Sequence, residues 1–191
     1  MHSRSRLLTK EILTCSLACL TACAMIALPS LRAGATQSDP GTASASAYAP
    51  IPRGSRVEAP DFTITDVRSK KISLSQYRGK VVLLDFWGVA CGGCKVEIPW
   101  YVEFDRRYRN KGLSLIGIDM YGESPEVVKP FMAKWHMDYP VAIGSDALGE
   151  KFHVEAMPLT LLIDRSGRIA MSHAGVVDKA QFEHDIQELL Q

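Results

Sequence analysis

Beyond residue 35 this chain has only two cysteines, Cys91 and Cys94, and that scarcity excludes a good deal. Structural zinc needs two more ligands. The four histidines in the same stretch (His136, His153, His173, His184) show no His-x3-5-His spacing, so a zinc site is set aside. Long charge runs and a basic excess are absent too. Residues 1–35 hold Arg4, Arg6, Lys10 and Arg32 against Glu11, leaving 18 basic and 20 acidic side chains, a balance of −2, in the remainder. A nucleic-acid partner would call for a basic face, and none is expected here. There is no internal repeat and no sign of a second domain. The 191 residues, 47% of them hydrophobic, suffice for one packed domain with appendages.

The cysteines that are present sit in an informative place. The apolar run Val81-Val82-Leu83-Leu84-Asp85-Phe86-Trp87 leads into Cys91-Gly92-Gly93-Cys94, which opens an amphipathic segment. A buried strand that ends there presents two thiols at a helix N-terminus, where oriented backbone N–H groups favour a thiolate. Spacing of three lets the second sulfur reach the first. Thiol–disulfide exchange is the chemistry this pattern points to, and an inert disulfide or two buried thiols is the bland alternative.

The N-terminus is expected to be a targeting segment rather than a core helix. Arg4, Arg6 and Lys10 precede an uncharged stretch from Ile12 to Leu31, followed by the small residues Ala33-Gly34-Ala35. Three outcomes stay open: cleavage after Ala35, lipidation at Cys23 through the lipobox-like Leu20-Thr21-Ala22-Cys23, or retention as an anchor, since about 20 apolar residues span a bilayer. All three place the domain outside the cytoplasm, in periplasm or cell envelope. Cys15, Cys19 and Cys23 otherwise read as small apolar residues. Residues 36–52, rich in Pro, Gly, Ala and Ser, lack both helical and strand periodicity and are expected to act as a flexible linker. The folded unit is expected over 53–191.

Within that unit strands and helices alternate. Asp61–Thr65 and Lys71–Leu74 suit a hairpin, Val81–Phe86 a buried strand, and Cys94–Asn110 a helix kinked at Pro99. Leu113–Asp119 and Val141–Ile143 follow as strands around a helix opened by Ser124-Pro125 and running to Trp135. Leu159–Asp164 and Ile169–His173 form a second hairpin, and Asp178 caps a last helix to Leu190. This order predicts an α/β fold with a central mixed sheet and helices on both faces.

Ala59-Pro60-Asp61-Phe62, Leu74 through Arg78-Gly79-Lys80-Val81-Val82, Phe86-Trp87, Cys91-x-x-Cys94-Lys95-x-Glu97-x-Pro99, and Met157-Pro158 before Thr160 together resemble the thioredoxin superfamily. More narrowly they resemble its extracytoplasmic TlpA/ResA-like branch, related to the redoxin and AhpC/TSA domain family. The resemblance covers residues 54–191 in order and implies a thioredoxin fold with an N-terminal β-hairpin extension. It implies Cys91 as nucleophile, Cys94 as resolving thiol, Pro158 as a cis-proline beside the pair, and Trp87, Met157 and Pro158 as substrate-binding positions. Asp85, six residues before Cys91, matches the buried aspartate of thioredoxin, where the branch more often has Asn. Glu97 matches the branch's own acid. Asp85 is expected to be the principal acceptor of the Cys94 proton, with Glu97 second. Three departures stand out: Met157 in place of Thr, Ile or Val, Ala90 in place of an aromatic, and Gly92-Gly93 in place of a dipeptide ending in Pro. Trp87, Phe104, Phe131 and Trp135 also fit plain core positions.

The function expected is thiol–disulfide oxidoreduction outside the cytoplasm. It would reduce disulfides of exported proteins, apocytochrome c among them, with a membrane electron donor recharging the dithiol and no cofactor or metal. One alternative is a peroxiredoxin-type peroxidase, whose Pro-x-x-x-Thr-x-x-Cys pattern would need Pro and Thr where Leu84 and Gly88 stand. The other is a copper-binding module using Cys91, Cys94 and a His or Met.

Overall fold

The computed structural model describes residues 50–191. The expectations for residues 1–35, and for the linker up to residue 49, lie outside them. The chain folds as β1 (Thr63–Thr65), β2 (Lys71–Ser73), β3 (Val81–Trp87), α1 (Gly92–Tyr108), β4 (Leu113–Asp119), α2 (Pro125–Trp135), β5 (Val141–Ile143), α3 (Asp146–Phe152), β6 (Leu159–Ile163), β7 (Ile169–Ala174) and α4 (Lys179–Leu190). Five strands form one mixed sheet in the order β5-β4-β3-β6-β7. β3, β4 and β5 run parallel, β6 pairs antiparallel to β3, and β7 pairs antiparallel to β6. β1 and β2 form a separate antiparallel hairpin. This is the α/β architecture expected, hairpin extension included.

β3 is buried along its whole length, and its alternation divides the core in two. Val81, Leu83 and Trp87 pack on one face with Ile98, Tyr101 and Phe104 of α1, Val128 and Met132 of α2, and Phe182 and Ile186 of α4. Val82, Leu84 and Phe86 pack on the other with Phe62, Ile72 and Leu74 of the hairpin region and Leu148 and Phe152 of α3. Because successive side chains of a strand point to opposite faces, Asp85 falls on the same side as Trp87, facing α1.

Two elements differ from expectation. α1 begins at Gly92 rather than Cys94, with Cys91 as its N-cap, and continues through Pro99 to Tyr108. α3 is a short helix the sequence did not announce. Its seven residues enclose Gly149, a poor helix former, but Ser145 caps it by accepting the Leu148 N–H at 3.3 Å, and Leu148 and Phe152 fix it to the sheet. A Cβ at Gly149 would lie 2.9 Å from Met120 Cε, the far end of a flexible side chain.

Candidate active site

β3 delivers the chain to the site, and a turn closed by the Cys91 N–H on the Gly88 carbonyl (3.0 Å) hands it to α1. Cys91 and Cys94 are joined as a disulfide. Cys91 Sγ accepts the Cys94 N–H at 3.1 Å, so the first sulfur is itself the cap of the helix. Cys91 is 7% exposed and Cys94 1%, which leaves Cys91 the more accessible sulfur. Unpaired N–H groups at the start of α1 favour negative charge on it once the bond opens.

Below the disulfide, α1 turns a polar stripe toward the sheet. Cys94, Glu97 and Tyr101, spaced by three and four, share one face, and all three are buried. Glu97 Oε1 accepts the Val177 N–H at 2.8 Å, whereas its Oε2 is enclosed without a hydrogen-bond partner. Burial pushes the Glu97 carboxyl up to about 7, against the Val177 N–H, which favours its charged form. Asp85 stands opposite on β3, flanked in register by Thr160 of β6 and Gly117 of β4. Both Asp85 oxygens are buried and unpartnered. Burial, then the charge of Glu97, holds its carboxyl well above the usual aspartate range. The Tyr101 hydroxyl meets Thr160 Oγ1 at 2.8 Å.

The Met157–Pro158 peptide is cis and opens β6 beside the redox pair. A Cβ on Gly93 would lie 3.1 Å from both Pro158 Cδ and Val176 Cγ2, so the second glycine of the motif serves close approach to the cis-proline. Gly92 faces open space. Met157 is half-buried against the core, and Ala90 is exposed at the lip. Trp87 corrects the expectation of a groove position. Its side chain is fully enclosed and stacks on Phe131 with ring centroids 5.2 Å apart, so it supports the site from inside and offers no surface to a substrate.

Several residues here were missed by sequence reasoning. Tyr101 was signalled only by its spacing from Glu97, and Thr160 only by its place two residues after Pro158. At the end of β4, Asp119 is the register partner of Trp87 and accepts the Glu123 N–H at 3.4 Å. Burial and the neighbouring Glu123 carboxyl push Asp119 up. Tyr121, half exposed, lies over Gly88, where a Cβ would fall 2.3 Å from its ring. Among the described residues no three His, Cys, Asp or Glu side chains gather into a group that could hold a metal ion. Among them, too, no helix is long and apolar enough to cross a membrane.

With this geometry in view, comparison with known proteins decides the family: residues 56–172 match the AhpC/TSA family. The chain belongs to that family. It is similar to the thiol-disulfide oxidoreductase ResA of Bacillus cereus, with 36% identity over 134 residues covering 69% of this chain and 76% of that protein. It is similar also to the ResA of Bacillus subtilis, at 30% identity over 134 residues, 70% of this chain and 74% of that one. Among solved structures, a thiol:disulfide interchange protein of the thioredoxin family from Chlorobium tepidum superposes with a TM-score of 0.66 at 26% identity, covering 71% of this chain and 97% of its own. The thioredoxin fold and the closed Cys91–Cys94 pair agree with these relatives, and this AhpC/TSA-family chain is a thiol–disulfide oxidoreductase.

Proposed function

We propose that this oxidoreductase works outside the cytoplasm as a reductant of disulfides in exported proteins, apocytochrome c among the candidates, with its dithiol recharged by a membrane electron donor. The observation that carries the reading is the redox disulfide at the N-terminus of α1 with two buried carboxyls, Glu97 and Asp85, behind it. The export element rests on the charged start and apolar run of residues 1–35.

In the reducing direction the Cys91 thiolate attacks a substrate disulfide and forms a mixed disulfide. Cys94 then loses its proton to a carboxylate beneath it and attacks Cys91 Sγ, which restores the internal bond and releases the substrate thiol. The Pro158 segment and the exposed Val176 beside Gly93 supply the adjoining surface for a polypeptide. The side-chain Oγ that a peroxidatic site would draw from a threonine is absent at Gly88.

Measuring the reduction potential tests the direction. A value near that of thioredoxin, about −270 mV, supports the reductant, and one near about −120 mV would make the protein an oxidant instead. Consumption of hydroperoxide at enzymatic rates would replace the reading with a peroxidase. Tight Cu(I) binding by the reduced domain, without exchange activity, would replace it with a copper module.

A further inference from the structure

Four polar side chains converge beneath Cys94 from three elements: Glu97 and Tyr101 on α1, Asp85 on β3 and Thr160 on β6. Tyr101 follows Glu97 by four residues, one turn along the same helical face, and Thr160 is the direct cross-strand partner of Asp85. Each hydroxyl is therefore neighbour to one carboxyl. The hydroxyls meet each other at 2.8 Å, and either can be the donor. Both oxygens of Asp85 and Oε2 of Glu97 are enclosed without a hydrogen-bond partner, and leaving such groups unpaired in a dry interior is costly.

We propose that Tyr101 and Thr160 are positioning residues of the dithiol site: the hydroxyl pair, joined at 2.8 Å, stands between Glu97 and Asp85, whose remaining oxygens carry no hydrogen bond in this structure, and turns to donate to whichever carboxyl is ionised, so that the two carboxyls hold one proton between them. The inference deepens the exchange reading above and rests on it. When Asp85 holds the proton, Thr160 donates to Tyr101 and Tyr101 donates toward the Glu97 carboxylate. When the proton sits on Glu97, the pair reverses, with Tyr101 donating to Thr160 and Thr160 toward Asp85. An acidic group is thus kept half-neutralised in a place where two full charges could not coexist.

In the resolving step the Cys94 S–H bond breaks and its proton goes to the carboxylate of the pair. The Cys94 sulfur forms a bond to Cys91 Sγ, and the bond from Cys91 Sγ to the substrate sulfur breaks, its electron pair leaving with the substrate thiolate. The dithiol is oxidised by two electrons and the substrate disulfide is reduced. The pair then returns its proton to the departing thiolate or to solvent. Beside the cluster the titratable groups are Tyr139, ahead of β5, on which the Asp85 charge acts, and His173 of β7, in register with Thr160. The remaining contact to the Tyr101 ring from α4 is Phe182, with centroids 5.8 Å apart.

The test compares Tyr101→Phe, Thr160→Val and Thr160→Ser with the parent full chain. Phe keeps the ring packing, Val keeps the shape of Thr without its hydroxyl, and Ser restores the hydroxyl. Two readouts are taken: the rate of mixed-disulfide resolution against pH by stopped flow, and the ¹³C NMR titration of the Asp85 and Glu97 carboxyls in the oxidised protein. Tyr101→Phe and Thr160→Val are expected to slow resolution about tenfold at pH 7, the scale of losing one hydrogen bond to a charged group. Both should move the pH profile and the carboxyl titrations to higher pH, while Thr160→Ser keeps the parent curves. Should Tyr101→Phe fail to fold, Thr160→Val against Thr160→Ser carries the comparison. Profiles and titrations of the hydroxyl-free variants that superimpose on the parent overturn the proposal. If the parent itself exchanges no disulfide, the exchange reading falls, and the NMR titrations still decide the bridge: displaced curves uphold it and coincident curves overturn it.

Discussion

Glu97 Oε1 accepts the backbone N–H of Val177 at 2.8 Å, tying the first turns of α1 to the segment between β7 and α4. The same segment presses Val176 toward Gly93, so the acid beneath the dithiol and the wall beside it are held by consecutive residues. That bond also fixes which Glu97 oxygen remains available to the interior.

The order of the sulfurs predicts how trapping divides. Cys91→Ser is expected to abolish exchange, and Cys94→Ser to accumulate mixed disulfides with substrate, because the accessible sulfur is the one that caps the helix. Non-reducing gels after incubation with a disulfide-bonded protein read this directly. Equal trapping by both variants would defeat the assignment.

The two carboxyls should rank by ease of ionisation. Asp85 has neither oxygen partnered, whereas Glu97 keeps one N–H bond and sits at about 7, so Glu97 is the readier acceptor near neutrality. Glu97→Gln is therefore expected to slow resolution at pH 7 by about a hundredfold, the lower range for general acid–base catalysis, and Asp85→Asn by less. This reverses the order expected from sequence, where Asp85 came first. Stopped-flow traces with Asp85→Asn the slower variant would restore it.

Stability should carry the same signature. Glu97 rises from its ordinary 4.5 to about 7 on folding, so between those values the folded protein binds more protons than the unfolded one. Its contribution is fully present below pH 4.5 and is lost as pH climbs to about 7, a change on the order of 3 kcal/mol. Asp85 acts in the same direction. Glu97→Gln keeps an acceptor for Val177 and removes the titration, so the variant should gain on the parent between pH 5 and pH 8 in urea unfolding of the oxidised form. A constant difference across that range would refute it.

Gly117 tests the packing around Asp85. A Cβ there would lie 2.9 Å from Trp87 Nε1 and 3.2 Å from Val141 Cγ2, and both neighbours are wholly buried and unable to swing aside. Gly117→Ala is expected to cost about 1–3 kcal/mol. Gly92→Ala, into open space at the start of α1, should be close to neutral. Denaturation midpoints that rank these two the other way would contradict the geometry.

Position in the cell is tested by the mature N-terminus. Expression of the full chain in a bacterium should yield either a protein starting at Thr36, a lipid-modified species starting at Cys23, or a membrane-retained full chain. Mass spectrometry separates the three, and an unprocessed chain in the soluble cytoplasm would overturn export.

Much of this was legible because the strong local signals agree with the fold. The apolar run of β3, the Ser124-Pro125 start of α2 and the Asp178 cap of α4, which accepts the Gln181 N–H at 2.9 Å, each place an element without help from elsewhere. α3 was not legible because its helical tendency is weak and tertiary contacts supply its stability. The same holds at the site. Cys91 and Cys94 follow from their spacing at a helix start, and Glu97 from the resemblance to the TlpA/ResA-like branch. The Tyr101–Thr160 contact spans 59 residues and exists only because β6 pairs antiparallel with β3 beneath α1, a register no local pattern states. The resemblance implied Trp87 as a substrate position, whereas strand alternation sends it inward, to the core position its residue type also fits.

The capping role of Cys91 has a further consequence. A helix usually keeps one cap for the life of the protein, but here the cap is the reacting atom. Each turnover exchanges a neutral disulfide sulfur at the end of α1 for an anionic thiolate, and an anion at that position is worth about 0.3–1 kcal/mol to a helix. The first turn of α1 is thus held more firmly in the reduced protein than in the oxidised one, and the helix records in its own stability which half of the redox cycle the molecule occupies.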